Sequence, residues 1–140
     1  PRDEMVALYL AADVMLVTAL RDGMNLVAKE YAASRFDDDG VLILSEFTGA
    51  SDELKRAILV NPHDIDGLKD AILAAIAMPR RERAARMRAL RKRVHDFDVA
   101  RWSDEFLATL DQARAGRFNR MSPMELADEL EWTLDSRKAP

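Results

Sequence analysis

At 140 residues, 49% of them hydrophobic, the chain is long enough for one domain with its own core and too short for two of ordinary size. A net charge of −4 argues against a surface built to hold nucleic acid, and no apolar run approaches the roughly 18 residues of a membrane span. The lack of cysteine excludes a disulfide framework and a thiolate metal site, and fits a reducing, cytoplasmic setting.

The chain opens Pro1-Arg2-Asp3-Glu4, with no initiator Met and no apolar region of a signal peptide, so a fragment or trimmed end is expected. Residues 4–12 read as the tail of a crossover helix, which calls for an earlier strand feeding it. Three short runs follow: Val14-Met15-Leu16-Val17, Val41-Leu42-Ile43-Leu44 and Ile58-Leu59-Val60. All are continuously apolar rather than alternating, as strands buried on both faces are. Each precedes a turn and a helical pattern, over residues 25–34, 50–56 and 64–77. The last carries Leu68, Ala71, Ile72, Ala75 and Ile76 on one face, with Asp64 as N-cap after Asn61-Pro62. Strand and helix alternating three times predict a parallel sheet with flanking helices.

After Pro79 the pattern is helical without strands. Met87, Leu90, Val94 and Phe97 form one packing stripe, and Trp102, Phe106 and Leu110 another. Residues 80–93 hold eight basic side chains and one acidic. The arginines surround a single apolar stripe with no interleaved aromatics, which reads as a solvated helix rather than a nucleic-acid or membrane surface. Ala115-Gly116 reads as a linker, and Ser122-Pro123-Met124-Glu125 as a capped helix start, with Leu126, Ala127, Leu130 and Leu134 to dock it. The expected organisation is therefore β/α units over 1–78, helices of the same domain over 79–114, and a linker with a capped helix over 115–140.

Asp37-Asp38-Asp39-Gly40 has the acids of a cation loop, but three consecutive acids do not converge on one ion, so a solvated loop is expected there. His63 and His95 lie far apart and lack ligand partners in the sequence. The informative stretch runs from Thr18 to Glu30, from the carboxyl end of a parallel strand into a helix start, the edge where open α/β sheets bind ligands. Amides at Asn25, Leu26 and Val27 would face a phosphate or diphosphate together with the positive end of the helix dipole. Gly23 would let backbone approach the ligand, Asp22 would accept from sugar hydroxyls, and Glu30 from both hydroxyls of a ribose. Lys29 would either touch phosphate or face outward. A plain β–α turn, with Asp22 as a cap and Glu30 as a surface acid, accounts for the same residue types.

Residues Leu8 to Thr18, with Leu8-Tyr9 and Asp13-Val14-Met15, followed by Arg21-Asp22-Gly23-Met24-Asn25-Leu26-Val27-Ala28-Lys29-Glu30-Tyr31, resemble the donor-site signature of the trehalose-6-phosphate synthase family. Ser45-Glu46-Phe47-Thr48-Gly49-Ala50, Glu53-Leu54 and Leu59-Val60-Asn61-Pro62 extend the resemblance, which covers residues 1–110 and leaves the remainder unassigned. It implies a GT-B glycosyltransferase, of which this chain would be part of the carboxyl-terminal, Rossmann-like domain followed by a helical tail. The implied reaction moves glucose with retention from UDP-glucose, or another NDP-glucose, to glucose 6-phosphate. No metal or cofactor is called for, and a homo-oligomer is expected.

Position by position, the resemblance implies that Asp22, the catalytic candidate, holds glucose hydroxyls with the backbone of Gly23, Met24 and Asn25 rather than attacking the anomeric carbon. Leu26 and Val27 would offer amides to the diphosphate, with Ala28 and Lys29 completing the helix start and Glu30 binding the ribose. The family's acceptor domain, and the earlier basic residues that neutralise the diphosphate, have no counterpart in this sequence, so the isolated chain is expected not to catalyse. Two other functions fit: a related transferase with an acceptor such as a glycerol phosphate, and a non-catalytic module docking through the tail around Trp132.

Overall fold

The computed structural model describes residues 2–118. The elements run α1 (Arg2–Ala11), β1 (Val14–Val17), α2 (Leu26–Ser34), β2 (Val41–Ser45), α3 (Ala50–Glu53), β3 (Ile58–Val60), α4 (Ile65–Ala77), α5 (Arg80–Asp96) and α6 (Val99–Phe118). The three strands form a parallel sheet in the order β1-β2-β3, with Val14 opposite Val41 and Ile43 opposite Ile58. By their internal contacts the described residues fall into two units, which divide between Phe97 and Asp98, inside the helical stretch that the sequence offered as 79–114.

The sheet is buried on both faces because β2, its middle strand, is apolar throughout. Leu42 and Leu44 point into a core with Ala28, Tyr31 and Ala32 of α2 and with Met87 and Leu90 of α5. Val41 and Ile43 point the other way, against Ala71 and Ala75 of α4. Each fully buried side chain of this size stabilises the fold by roughly 1.5–3 kcal/mol, which favours this register over a one-residue slip.

Several sequence expectations need correction. The helix after β2 is one turn, not seven residues: Leu54 is fully buried and caps it, and the Ala57 amide then donates to the Leu54 carbonyl, bending the chain into β3. On α4, Ile76 is 67% exposed; the face that packs is Leu68, Ala71, Ile72 and Ala75. Trp102, Phe106 and Leu110 of α6 are 41%, 53% and 54% exposed, so that stripe is not a packed one among the described residues; Trp102 and Phe106 instead stack on each other at 5.3 Å. Asp98 caps α6 through the Arg101 amide, and the helix runs through Ala115 and Gly116. A single helical glycine costs only about 1 kcal/mol relative to alanine, too little to break it. The capped helix at Ser122 and Trp132 lie outside the described residues.

The acidic loop is partly exposed, as expected of a surface loop, but its acids are paired rather than free in solvent. Asp38 pairs with Arg88 at 3.2 Å and Arg91 at 2.6 Å, Asp39 with Arg83 at 3.1 Å, and Asp37 with Arg35 at 3.0 Å. Burial pushes the Asp38 carboxyl up, but Arg91 and Arg88 outweigh it and hold it below the ordinary value. Gly40 closes this loop at φ +92, where a Cβ would overlap the Tyr31 hydroxyl. Part of the positive charge on α5 is thus taken up internally.

Arg35 ties these parts together. Its side chain, 3% exposed, donates from one guanidinium nitrogen to the carbonyls of Tyr9, Leu10 and Ala12 at 3.1, 2.8 and 2.9 Å. These close the last turn of α1, where carbonyls lack partners within the helix. The Tyr31 hydroxyl also donates to Ala12 at 3.0 Å. Arg35→Ala, which strands those buried carbonyls, is expected to lower stability by about 3 kcal/mol, read as a fall in the urea midpoint; an unchanged midpoint would show that α1 is held by other means.

Candidate functional site

The sheet sets where the first loop begins. Past β1 the chain pairs again with the segment past β2, one residue out of the strands' register: the Asp22 amide donates to the Phe47 carbonyl at 3.3 Å, the Gly49 amide donates to the Asp22 carbonyl at 3.0 Å, and Asp22 and Thr48 form a parallel bridge. The 45–51 segment is itself fixed, with Thr48 Oγ1 donating to the Ser45 carbonyl and Ser51 Oγ to the Thr48 carbonyl. Asp22 therefore sits on a rigid pedestal at the carboxyl edge of the sheet.

From that anchor the loop closes on its own side chains. Asp22 Oδ1 accepts from the Met24 and Asn25 amides, both at 3.0 Å, and Oδ2 accepts from Asn25 Nδ2 at 2.9 Å. Asn25 adopts the left-handed conformation at φ 65, which asparagine tolerates better than most residues, and its Oδ1 caps α2 by accepting from the Ala28 amide. The Met24 amide, then the Asn25 side chain, hold the Asp22 carboxyl below its ordinary value, so it is ionised at neutral pH. The capping role that the bare sequence left open to Asp22 belongs to Asn25, and Asp22 has instead the role of closing the turn before the helix. It does not exhaust the group: a carboxylate has about four lone-pair positions, and three are used, leaving one on Oδ2.

The expectation of a free amide at Asn25 fails, because Asp22 takes it. Leu26 and Val27 are the first two residues of α2, where amides have no carbonyl of a preceding turn, and their side chains are exposed. Gly23 has open space on its side-chain side, while Ala28 is completely buried. Lys29 does not reach outward: its Nζ contacts both oxygens of Glu53 at 2.8 and 2.9 Å and joins α2 to α3. Glu30, on the next position, is exposed and accepts from the Tyr9 hydroxyl at 3.0 Å. Asp22 and Glu30 thus flank the start of one helix, each with a fixed oxygen.

Sequence reasoning missed the pedestal and the tyrosine. The signal for the first was Thr48-Gly49 shortly after the middle strand, at the same sheet edge as the Asp22 loop. Phe47 and His63, in the segments that follow β2 and β3, lie with ring centroids 5.9 Å apart; the His63 amide closes a turn on Asn61 Oδ1. Among the described residues no group of three or more acids and histidines is placed to hold a metal ion. No described helix is long and apolar enough to cross a membrane.

The model of glycosyltransferase family 20 matches residues 1–112. The chain belongs to glycosyltransferase family 20. It is 61% identical over 110 residues to the trehalose-6-phosphate synthase of Mycolicibacterium smegmatis, covering 79% of this chain and 22% of that protein. Among solved structures it resembles one described as trehalose-6-phosphate from E. coli bound with UDP-2-fluoro glucose, at TM-score 0.73 and 41% identity, covering 80% of this chain and 25% of the other. It also resembles the Burkholderia xenovorans alpha,alpha-trehalose-phosphate synthase in complex with glucose-6-phosphate, at TM-score 0.73 and 46% identity over 79% of this chain and 25% of that one. The fold is that of the corresponding part of these GT-B enzymes. The chain spans about a quarter of the length of the family 20 members it matches.

Gly49 is where the pedestal and the loop meet most closely. A Cβ there would overlap the Gly23 carbonyl oxygen and come within 3.0 Å of its carbon. Gly49→Ala is expected to lift residues 23–25 from the pedestal at a cost of roughly 1–3 kcal/mol, seen as faster amide exchange at Met24 and Asn25. Unaltered exchange at both amides would contradict this packing.

Proposed function

We propose that this chain supplies the nucleotide-sugar site of a retaining glucosyltransferase that makes trehalose 6-phosphate from UDP-glucose, or another NDP-glucose, and glucose 6-phosphate. The observation that carries it is the Asp22-to-Glu30 turn and helix start, held at the carboxyl edge of a parallel sheet in a family 20 chain. The relatives named for trehalose-6-phosphate synthase, and the similar structures holding a UDP-fluoroglucose and glucose-6-phosphate, support this choice of substrates.

In this proposal each group acts through chemistry it already displays. The open lone pair of ionised Asp22 accepts from a glucose hydroxyl, and the backbone at Gly23, Met24 and Asn25 lines the sugar. The amides of Leu26 and Val27, with the positive end of the α2 dipole, face the diphosphate. As the bond between glucose and phosphate breaks, negative charge grows on that leaving group, and fixed N–H dipoles favour it without reorganising. Glu30 accepts from the ribose diol. Lys29 is left to its ion pair with Glu53 and acts on the helix, not on phosphate.

A chimera tests this, with residues 1–112 replacing the segment they match in the Mycolicibacterium smegmatis relative. It is expected to form trehalose 6-phosphate from UDP-glucose and glucose 6-phosphate. Asp22→Ala should lower kcat/KM about a hundredfold, through lost charged hydrogen bonds to the sugar and a loosened loop. Full activity of the Asp22→Ala chimera would refute the assignment.

A further inference from the structure

The Glu30 carboxylate is held from outside its own helix, by a residue 21 positions earlier. Tyr9 is 5% exposed, its ring lies edge-on to Tyr31 at 6.2 Å, and its hydroxyl donates to Glu30 Oε2 at 3.0 Å. Burial first, and then the Glu30 carboxylate, push the Tyr9 hydroxyl above its ordinary value, so it stays a donor at neutral pH. The tyrosine has little freedom to follow Glu30 if the latter moves: Arg35 grips the Tyr9 carbonyl and its neighbours, and Tyr31 grips Ala12. Glu30 itself is exposed, and an exposed glutamate samples several rotamers unless something holds it. One oxygen is fixed here by a buried donor; the other is left for a ligand.

From this geometry we infer that Tyr9 is a positioning residue for the donor site, fixing Glu30 so that its remaining acceptor positions meet a vicinal diol. This rests on the donor-site reading, in which Glu30 accepts from the ribose. A pre-positioned carboxylate loses no side-chain entropy when the diol arrives, and it aligns with both hydroxyls rather than one. Tyr9 touches no substrate in this scheme; its effect passes through Glu30. It is therefore a determinant of selectivity for a ribonucleotide over a 2′-deoxyribonucleotide.

Two measurements test it. In the 140-residue chain, with its two tyrosines labelled at the ζ-carbon, Glu30→Gln should move the Tyr9 resonance more than that of Tyr31; no movement of Tyr9 overturns the contact and the inference. In the chimera, Tyr9→Phe keeps the buried ring and removes only the hydroxyl. It should raise KM for UDP-glucose about tenfold with a smaller change in kcat, and shrink the preference for UDP-glucose over its 2′-deoxyuridine analogue. In the Glu30→Ala background, Tyr9→Phe should add nothing to KM. If Glu30→Ala leaves KM and the 2′-deoxy preference unchanged, the donor-site reading fails. If Glu30→Ala raises KM while Tyr9→Phe leaves both quantities untouched, only the role of Tyr9 is overturned.

Discussion

The backbone pairing of Asp22 with the segment after β2 is the constraint on which the rest of the site depends. Without the bonds to Phe47 and Gly49, the turn after β1 would be a surface loop with no fixed height above the sheet. With them, the Asp22 carboxylate is placed where it gathers the Met24 and Asn25 amides and the Asn25 side chain, and Asn25 in turn starts α2. A single aspartate thus links strand end, loop and helix start. The proposed recognition of a nucleotide sugar uses what this arrangement leaves over: one lone pair on the carboxylate and the first amides of the helix.

Rigidity behind the site comes from ionic and polar contacts as much as from the apolar core. Lys29 and Glu53 join α2 to α3, Arg35 joins α1 to α2, and the arginines of α5 grip the loop that leads from α2 into β2. The Lys29 and Arg91 pairs are half-buried, whereas Arg35 is buried and bonded to three carbonyls, where losing the partner is most costly. The helix that carries the amides is therefore fixed along its length, which suits the proposed contribution of this site, orientation and pre-set dipoles.

Much of the fold was legible in the sequence because the strands are continuously apolar and the turns carry their usual residues. Val14–Val17, Val41–Ser45 and Ile58–Val60 are strands, the second one residue longer than the apolar run that suggested it, and Asp64 caps α4 through the Gly67 amide, as expected. The stretch from Asp22 to Glu30 was visible as a strand-to-helix turn, and its family by resemblance. What escaped depends on contacts distant in sequence. Nothing near Asp38 and Asp39 announces that arginines some fifty positions later will pair with them. Nothing near Tyr9 names Glu30. A helical stripe does not show how wide the packed face is, so Ile76 and Trp102 read as core and are exposed. Gly49 looks like an ordinary helix start until the Gly23 carbonyl is seen against it.

The central claim is that the turn at Asp22 and the start of α2 hold a nucleotide sugar. A crystal structure of the chimera with UDP-2-fluoro glucose tests it most directly. Diphosphate oxygens within about 3.2 Å of the Leu26 and Val27 amides, with the ribose hydroxyls on Glu30, are the expected result. A nucleotide bound with Glu30 and both amides facing solvent would contradict the account.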